Sequence, residues 1–222
     1  ELHQTIKQGC PLAPLLFAII MDELHTDLRA KYKGYTLGDG TSVTSRGYCD
    51  DTQIISNSIQ EIEAMNRTMH GFAEKHGLQV NATKTKITGI NANGSPYDGQ
   101  LFWPGAKDSD PFETVPPSKA IRYLGCYVAM NGTWDTQIKR MNSLVALTLS
   151  ALRNKRWTLL QACSITKYVT GPKMEIGMRH AEIPRVTLER WDRQLAAALA
   201  ARAGLSGASL HADSISLICN YV

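Results

Sequence analysis

No stretch of the 222 residues approaches the roughly 20 consecutive apolar positions that a membrane-crossing helix needs. The opening "ELHQTIKQGC" has no initiator Met and no basic segment running into an apolar one, so it carries no secretory-leader pattern. The sequence is therefore expected to be a piece of something longer. No C-x-x-C pair occurs, and no cysteine sits near a histidine at zinc spacing. The five cysteines, Cys10, Cys49, Cys126, Cys163 and Cys219, are odd in number and scattered. Such a set reads as free thiols, mostly small buried hydrophobes, in a reducing compartment. That predicts an intracellular protein, of the nucleus or cytoplasm, with an organelle as the alternative. No internal repeat is visible.

A 43% apolar content leaves ample material for a core, in one large domain or two small ones. The net charge of +4 hides an asymmetry. Residues 1–119 carry 11 Lys and Arg against 14 Asp and Glu, whereas residues 120–222 carry 13 against 6. A basic half joined to an acidic half suits a chain that holds metal ions in one part and tracks a polyanion with the other. Chance surface charge would give the same count.

Along the chain, residues 12–32 predict a helix, with Leu12, Leu15, Leu16, Ile19, Ile20, Leu24 and Leu28 recurring at three and four. Pro11 and Pro14 fit only near its start, and Gly34 is a natural stop. Short β-prone runs at residues 35–37 and 41–45 flank "GDG", a hairpin signal. A second tight hairpin is expected at "SRGYCDDTQIIS", with Asp50 and Asp51 at its tip. Residues 59–76 predict a second helix, with Ser58 and Glu61 at capping-box spacing and Gly77 at its end. "LQV" and "KITGI" suggest strand, turn and strand. Residues 91–119 read as a long Gly/Pro-rich excursion with a short strand at "QLFW". "IRYLGCYVAM" reads as a compact strand. From Trp134 onward the period is helical, in three segments. The fold class is α+β followed by an all-α bundle.

Two adjacent carboxylates repel, so the pair is either a solvated turn or a seat for something strongly positive. Asp is common in turns for local hydrogen-bonding reasons. A tight hairpin also projects carboxylate oxygens well toward a divalent cation, and magnesium takes one or two of them beside waters and phosphates. Spacing alone leaves both readings open.

Four motifs narrow the choice: "KQGCPLAPLLFAIIMDEL" (7–24), "GYCDDTQIIS" (47–56), "GLQVNATKTKI" (77–87) and "RYLGCYV" (122–128). In this order they resemble the reverse transcriptases, RNA-directed DNA polymerases, most closely those of non-long-terminal-repeat retrotransposons. The resemblance covers residues 1 to about 140 well and the later helices more loosely. It implies a right-hand polymerase palm segment over residues 1–130, an antiparallel sheet with packed helices. A thumb-like helical region would follow over 131–222. It implies Mg²⁺ or Mn²⁺ as cofactor, deoxynucleoside triphosphates as substrates, and an RNA template with a DNA primer as partners.

The same resemblance assigns roles by position. Gln8 and Gly9 match residues at the nucleotide and template site. Asp50 matches the principal metal-binding carboxylate, with Asp51 beside it. Tyr48 matches the aromatic that supports the primer end. Lys84 matches the lysine near the departing pyrophosphate. Tyr123, Leu124 and Gly125 match the primer grip. On charge and aromatic content, independent of the resemblance, Lys139, Arg140, Arg153, Lys155, Arg156 and Trp157, with Lys167, are candidates for the nucleic-acid backbone. Trp134 and Trp191 are expected as core anchors. A further family carboxylate lies upstream of the Gln-Gly motif, and only seven residues precede Gln8 here. The isolated chain is therefore expected to be inactive, with the fingers supplied by an upstream segment or a separate chain. A non-catalytic nucleic-acid-binding module or a structural subunit of a larger assembly is the alternative.

Overall fold

Pro14 needs a position where its missing N–H costs nothing, and the first turn of a helix is one. In the computed structural model, which describes residues 11–104 and 111–204, α1 spans Ala13–Lys31 with Pro14 in that turn. Arg29 and Lys31 stand in its last turn, at the negative end of the helix dipole. The apolar stripe is buried only in its second half. Leu24 and Leu28 are enclosed, whereas Leu12, Leu15, Leu16 and Ile19 are exposed.

Two hairpins follow. β1 (Tyr35–Thr36) pairs antiparallel with β2 (Ser42–Val43) around the Gly-Asp-Gly turn. β3 (Ser45–Tyr48) pairs antiparallel with β4 (Asp51–Ile54). Gly34, just beyond α1, lies at φ +70°, and a Cβ there would fall 2.4 Å from the Val43 carbonyl oxygen. Only glycine lets the chain leave α1 so close to β2.

α2 (Ile59–His76) has the ends its sequence predicts: Ser58 Oγ accepts from the Glu61 N–H, and Gly77 closes the helix at φ 62°. The capping box is only half formed, however. The Glu61 carboxylate accepts instead from the Ser56 hydroxyl and from the N–H groups of Lys33, at 2.8 Å, and Gly34. This ties the start of α2 to the exit of α1. Partial burial pushes the Glu61 carboxyl up, but the Ser56 hydroxyl and the two N–H groups outweigh it and hold the group below its usual range. A lowered folded-state pKa adds stability above the unfolded-state value, and that stability is lost as pH falls through the folded one. Glu61→Gln is expected to cost about 1–2 kcal/mol at pH 7, with the loss shrinking toward pH 3. Urea unfolding at both pH values checks this; equal losses would contradict it.

Leu24, Leu28 and Met65 form the first core, with Tyr32, Ile54, Ile62 and Phe72 around them. The Tyr32 hydroxyl reaches across to α2 and donates to the Ala64 carbonyl at 2.9 Å. Beyond α2 the structure departs from expectation. "LQV" forms no strand, and neither does "QLFW". Instead β5 (Lys86–Ile87) pairs parallel with β6 (Glu113–Thr114), a pairing between segments too short to show a pattern. The excursion is a packed loop. Leu101, Phe112 and Val115 are buried, Trp103 stands edge-on to His70, and Asn66 of α2 donates to the Phe102 carbonyl at 2.9 Å. The described strands form separate pairs, three antiparallel and one parallel, so mixed α and β structure is present with small sheets in place of one larger sheet.

The chain divides into two compact units, Glu1–Pro116 and Pro117–Val222. The sequence motifs suggest a boundary near 130; the intervening hairpin falls in the second unit. That hairpin replaces the single strand expected at residues 121–130. β7 (Ile121–Tyr123) turns back into β8 (Cys126–Val128) through Leu124 at φ +45° and Gly125 at φ +86°. Positive φ at both central residues is the I′ pattern, whose twist matches a two-residue hairpin.

Beyond that hairpin the described residues of the second unit are mainly helical: α3 (Asp135–Asn154), α4 (Leu159–Ile165), a π-helical turn (Thr166–Thr170), α5 (Gly171–His180) and α6 (Arg185–Arg202). α5 was not expected, because "GP" reads as a break. The wide π turn carries the chain through, and Pro172 takes the first turn of α5. Thr148 and Thr170 meet in the interior at 2.9 Å. Thr148 donates to the Leu144 carbonyl, so Thr170 is the donor between them. Met141, Val145, Leu149, Leu152, Met174 and Trp191 share the core. Trp191 is buried as expected, whereas Trp134 is half-buried at the α3 N-cap. Among the described residues no helix is long and apolar enough to cross a membrane.

Candidate functional site

β3 and β4 are joined by only Cys49 and Asp50, with Tyr48 directly opposite Asp51. Cys49 has φ +52° and Asp50 does not share it. Positive φ at the first central residue alone is the II′ pattern, where glycine is the usual occupant. A cysteine held there stores of the order of 1 kcal/mol of backbone strain. Asp50 sits in the loop and Asp51 opens β4; both are exposed, as is Tyr48 at 64%. Strand alternation places Asp51 on the face of Tyr48, while Ser45 and Gly47 occupy the other face. Neither carboxylate has an ion-pair or hydrogen-bond partner for its side chain among the described residues.

The other face of this hairpin is held by α1. His25 Nδ1 is hydrogen-bonded to Ser45 Oγ at 2.8 Å. A Cβ at Gly47 would lie 2.3 Å from His25 Nε2, so the imidazole occupies the space a side chain would need. Burial, then the Arg29 charge, pushes the His25 imidazolium pKa down, with Asp22 opposing, which favours the neutral ring at neutral pH. Sequence pattern gave no sign of this contact, since 22 residues separate His25 from Gly47.

Lys84 stands exposed in a turn whose backbone is fixed by Asn81: the Lys84 N–H donates to the Asn81 carbonyl at 3.1 Å. No hydrogen bond or ion pair among the described residues joins Lys84 to Asp50 or Asp51. Lys86, two residues on, pairs with Glu113 across the parallel β5–β6 register at 2.7 Å. Gln8 and Gly9 lie outside the described residues.

In the second unit, Tyr123, Leu124 and Gly125 lie together at the I′ turn, with Leu124 exposed. α3 grips this hairpin through two side chains. Buried Gln137 accepts from the Tyr127 N–H at 3.0 Å, and the Arg140 guanidinium lies 5.3 Å above the Tyr127 ring and within 3.5 Å of the Gly125 carbonyl. Arg140 is thus partly committed to the hairpin. Gln137 has no charge or motif that marks it in sequence.

Five of the candidate backbone-binding cations are exposed and fall in two groups. Lys139 and Arg140 lie in the first half of α3, and Arg153, Lys155 and Arg156 lie at its C-terminal end. A rise of 1.5 Å per residue separates the groups by about 20 Å. Trp157 is half-buried; its indole N–H donates to the Ala151 carbonyl at 3.1 Å, and Lys155 lies 5.8 Å from its ring. Lys167 lies 5.3 Å from the Tyr168 ring on the π turn. Arg202 of α6 caps the end of α3, donating to the carbonyls of Leu152, Arg153 (2.9 Å) and Lys155 (2.6 Å). These are the orphan acceptors of a helix end, and a cation there also meets the dipole.

The donor set at the β3–β4 hairpin suits a hard cation. Two exposed carboxylates without internal partners can each offer oxygen to magnesium or manganese, leaving other positions to water and phosphate. Among the described residues no cluster of three or more Asp, Glu, His or Cys side chains is assembled to hold a metal by protein ligands alone. The pair therefore fits an ion shared with phosphate better than a closed site.

Comparison with known proteins agrees with the family that the motifs resemble. A family model described as reverse transcriptase (RNA-dependent DNA polymerase) matches residues 2–128. The chain is also similar to two proteins of Popillia japonica, each named as a retrovirus-related Pol polyprotein from type-1 retrotransposable element R2. One is 21% identical over 198 residues, which is 86% of this chain and 26% of that protein. The other is 28% identical over 83 residues, 37% of this chain and 14% of that protein. The chain thus spans about a quarter or less of the length of these relatives. With the family model covering more than half of the chain, and with the exposed carboxylate hairpin at its heart, the chain belongs to the reverse transcriptase (RNA-dependent DNA polymerase) family.

Proposed function

We propose that this chain is the palm–thumb segment of an RNA-directed DNA polymerase of a non-long-terminal-repeat retrotransposon, which extends a DNA primer on an RNA template. One observation carries the reading: in a family-matched chain, Asp50 and Asp51 stand exposed and unpaired at a two-residue hairpin tip. A pair of divalent ions, when bound, neutralises charge on the triphosphate and activates the primer hydroxyl for in-line displacement. Asp50 and Asp51 would hold such ions through their carboxylate oxygens. Tyr48, on the face of Asp51, supports the primer end. Lys84 supplies a positive group near the departing pyrophosphate, and Gln8 and Gly9 are assigned to nucleotide recognition by their match to the family motif alone. The Leu124 and Gly125 turn grips the primer. The cationic groups along α3 meet backbone phosphates, and their separation of about 20 Å corresponds to about six base steps. Magnesium or manganese, deoxynucleoside triphosphates and a template–primer duplex are the ligands this reading requires, and a reducing intracellular compartment is where it would work.

Primer extension by the full-length polypeptide on an RNA template tests the reading; an absence of template-dependent incorporation with either metal would contradict it. Duplex binding by the 222-residue chain is expected to weaken steeply with salt, and each cation removed from Arg153, Lys155 or Arg156 should shallow the log–log slope by up to about 0.9. Fluorescence anisotropy between low and moderate salt measures this. A flat salt response would remove the helical unit from the nucleic-acid interface.

A further inference from the structure

We propose that His25 is a positioning residue for the carboxylate hairpin: by filling the Cβ space of Gly47 and bonding Ser45, it fixes β3 on α1 and so sets where Asp50 points. The inference rests on the metal reading of Asp50 and Asp51 and adds to it a residue outside the motif.

A two-residue hairpin at the end of an isolated pair of strands has few ways to hold its direction. Among the described strands β3 and β4 pair only with each other, and the loop side chains are exposed. The tip therefore takes its aim from whatever grips the face of β3, and that grip is specific. Ser45 and Gly47 are two apart, so both face α1, and one imidazole engages both. Nδ1 is spent on Ser45 at 2.8 Å, which prevents the ring from swinging away. Nε2 then lies 2.3 Å from where a Gly47 Cβ would be, and Cε1 lies 2.9 Å from it. Real Cβ contacts are never that short, so any side chain at position 47 must push β3 off α1 or eject His25. Leu24 and Leu28, which flank His25 on α1, are fully buried, so the helix offers a firm base. Gly47 is thus explained by His25 rather than by its own backbone, since its φ is not positive. The hairpin tip begins two residues later, and a shift of β3 is passed directly to Asp50.

The test has two parts. In the 222-residue chain, thermal unfolding is measured for Gly47→Ala, His25→Ala and the double variant. Gly47→Ala is expected to lower Tm by about 5 °C with His25 present, and by much less in the His25→Ala background, where the new methyl enters the vacated space. If His25→Ala fails to fold, His25→Asn runs the same cycle, because its amide keeps a partner for Ser45 while clearing the space beside Gly47. Additive losses would overturn the contact. In the second part, Mn²⁺ binding to the chain is followed by water-proton relaxation in the presence of a deoxynucleoside triphosphate. Gly47→Ala and His25→Asn are expected to weaken it by about tenfold, the scale on which outer partners of metal ligands act. Asp50→Asn is the control that separates the two ideas. If it weakens Mn²⁺ binding and the His25 and Gly47 variants do not, the positioning role fails and the metal reading stands. If Asp50→Asn has no effect, the metal reading itself fails.

Discussion

Asp50→Asn in the full-length polypeptide is expected to reduce primer extension by at least about 10³-fold, the scale of electrostatic clamps on a transferring phosphoryl group. Asn keeps the size of the side chain and one acceptor oxygen but loses the charge that draws a divalent ion. The substitution falls in an exposed loop with no side-chain partner among the described residues, so folding should be untouched. Stability and duplex affinity should therefore match wild type while incorporation collapses. That combination separates a metal ligand from a solvated turn residue. Extension at the wild-type rate would return Asp50 to the class of ordinary turn aspartates. Asp51→Asn should cost less, because Asp51 shares a strand face with Tyr48 instead of standing in the loop.

The second large effect lies far from the chemistry. Trp191→Ala is expected to destabilise the helical unit by about 3–5 kcal/mol, a large share of a domain's total. The ring is 2% exposed within the core of Met141, Val145, Leu149, Leu152 and Met174. Its indole N–H also donates to Asn142 Oδ1 at 2.7 Å, a contact shared with Arg190. Trp191→Phe should keep most of the packing and lose chiefly this bond, costing about 1–2 kcal/mol. Urea unfolding of the two variants checks the ranking. An alanine variant no less stable than the phenylalanine variant would show that the ring is not the anchor of this unit. Duplex binding should fall with the alanine variant, because the cations of α3 depend on that core for their spacing.

Where local chemistry decided the outcome, the sequence was readable. Ser58 and Gly77 bound α2 because a hydroxyl and a left-handed glycine satisfy the helix ends with groups close in the chain. The Asp-Asp hairpin was visible because β-prone runs flank it. The β7–β8 hairpin was not, because its turn is Leu-Gly and a leucine at φ +45° is an unusual choice. Gln137 of α3 anchors the second strand of this hairpin by accepting from the Tyr127 N–H, a contact made across ten residues that no local pattern shows. α5 was hidden behind Gly171 and Pro172, which read as a stop until a π turn carries the helix through them. The Lys86–Glu113 pair has no local signal, since β5 and β6 meet only in three dimensions.

The candidate site divides in the same way. Asp50, Asp51 and Tyr48 share one hairpin because they are adjacent in sequence. His25, Gln137 and Arg202 were not foreseen, because each acts on groups distant in the chain: Ser45 and Gly47, Tyr127, and the carbonyls that end α3. Motifs name the residues proposed to face substrate. They do not name those that hold the motif in place.

The most direct measurement is paramagnetic broadening of backbone amide resonances by Mn²⁺ in the 222-residue chain, with a deoxynucleoside triphosphate present. At low Mn²⁺ the losses should centre on residues 48–52 and vanish in Asp50→Asn. Broadening spread equally over exposed acids such as Asp22 and Glu175, or unchanged by that substitution, would show that the hairpin tip is not where the cation binds.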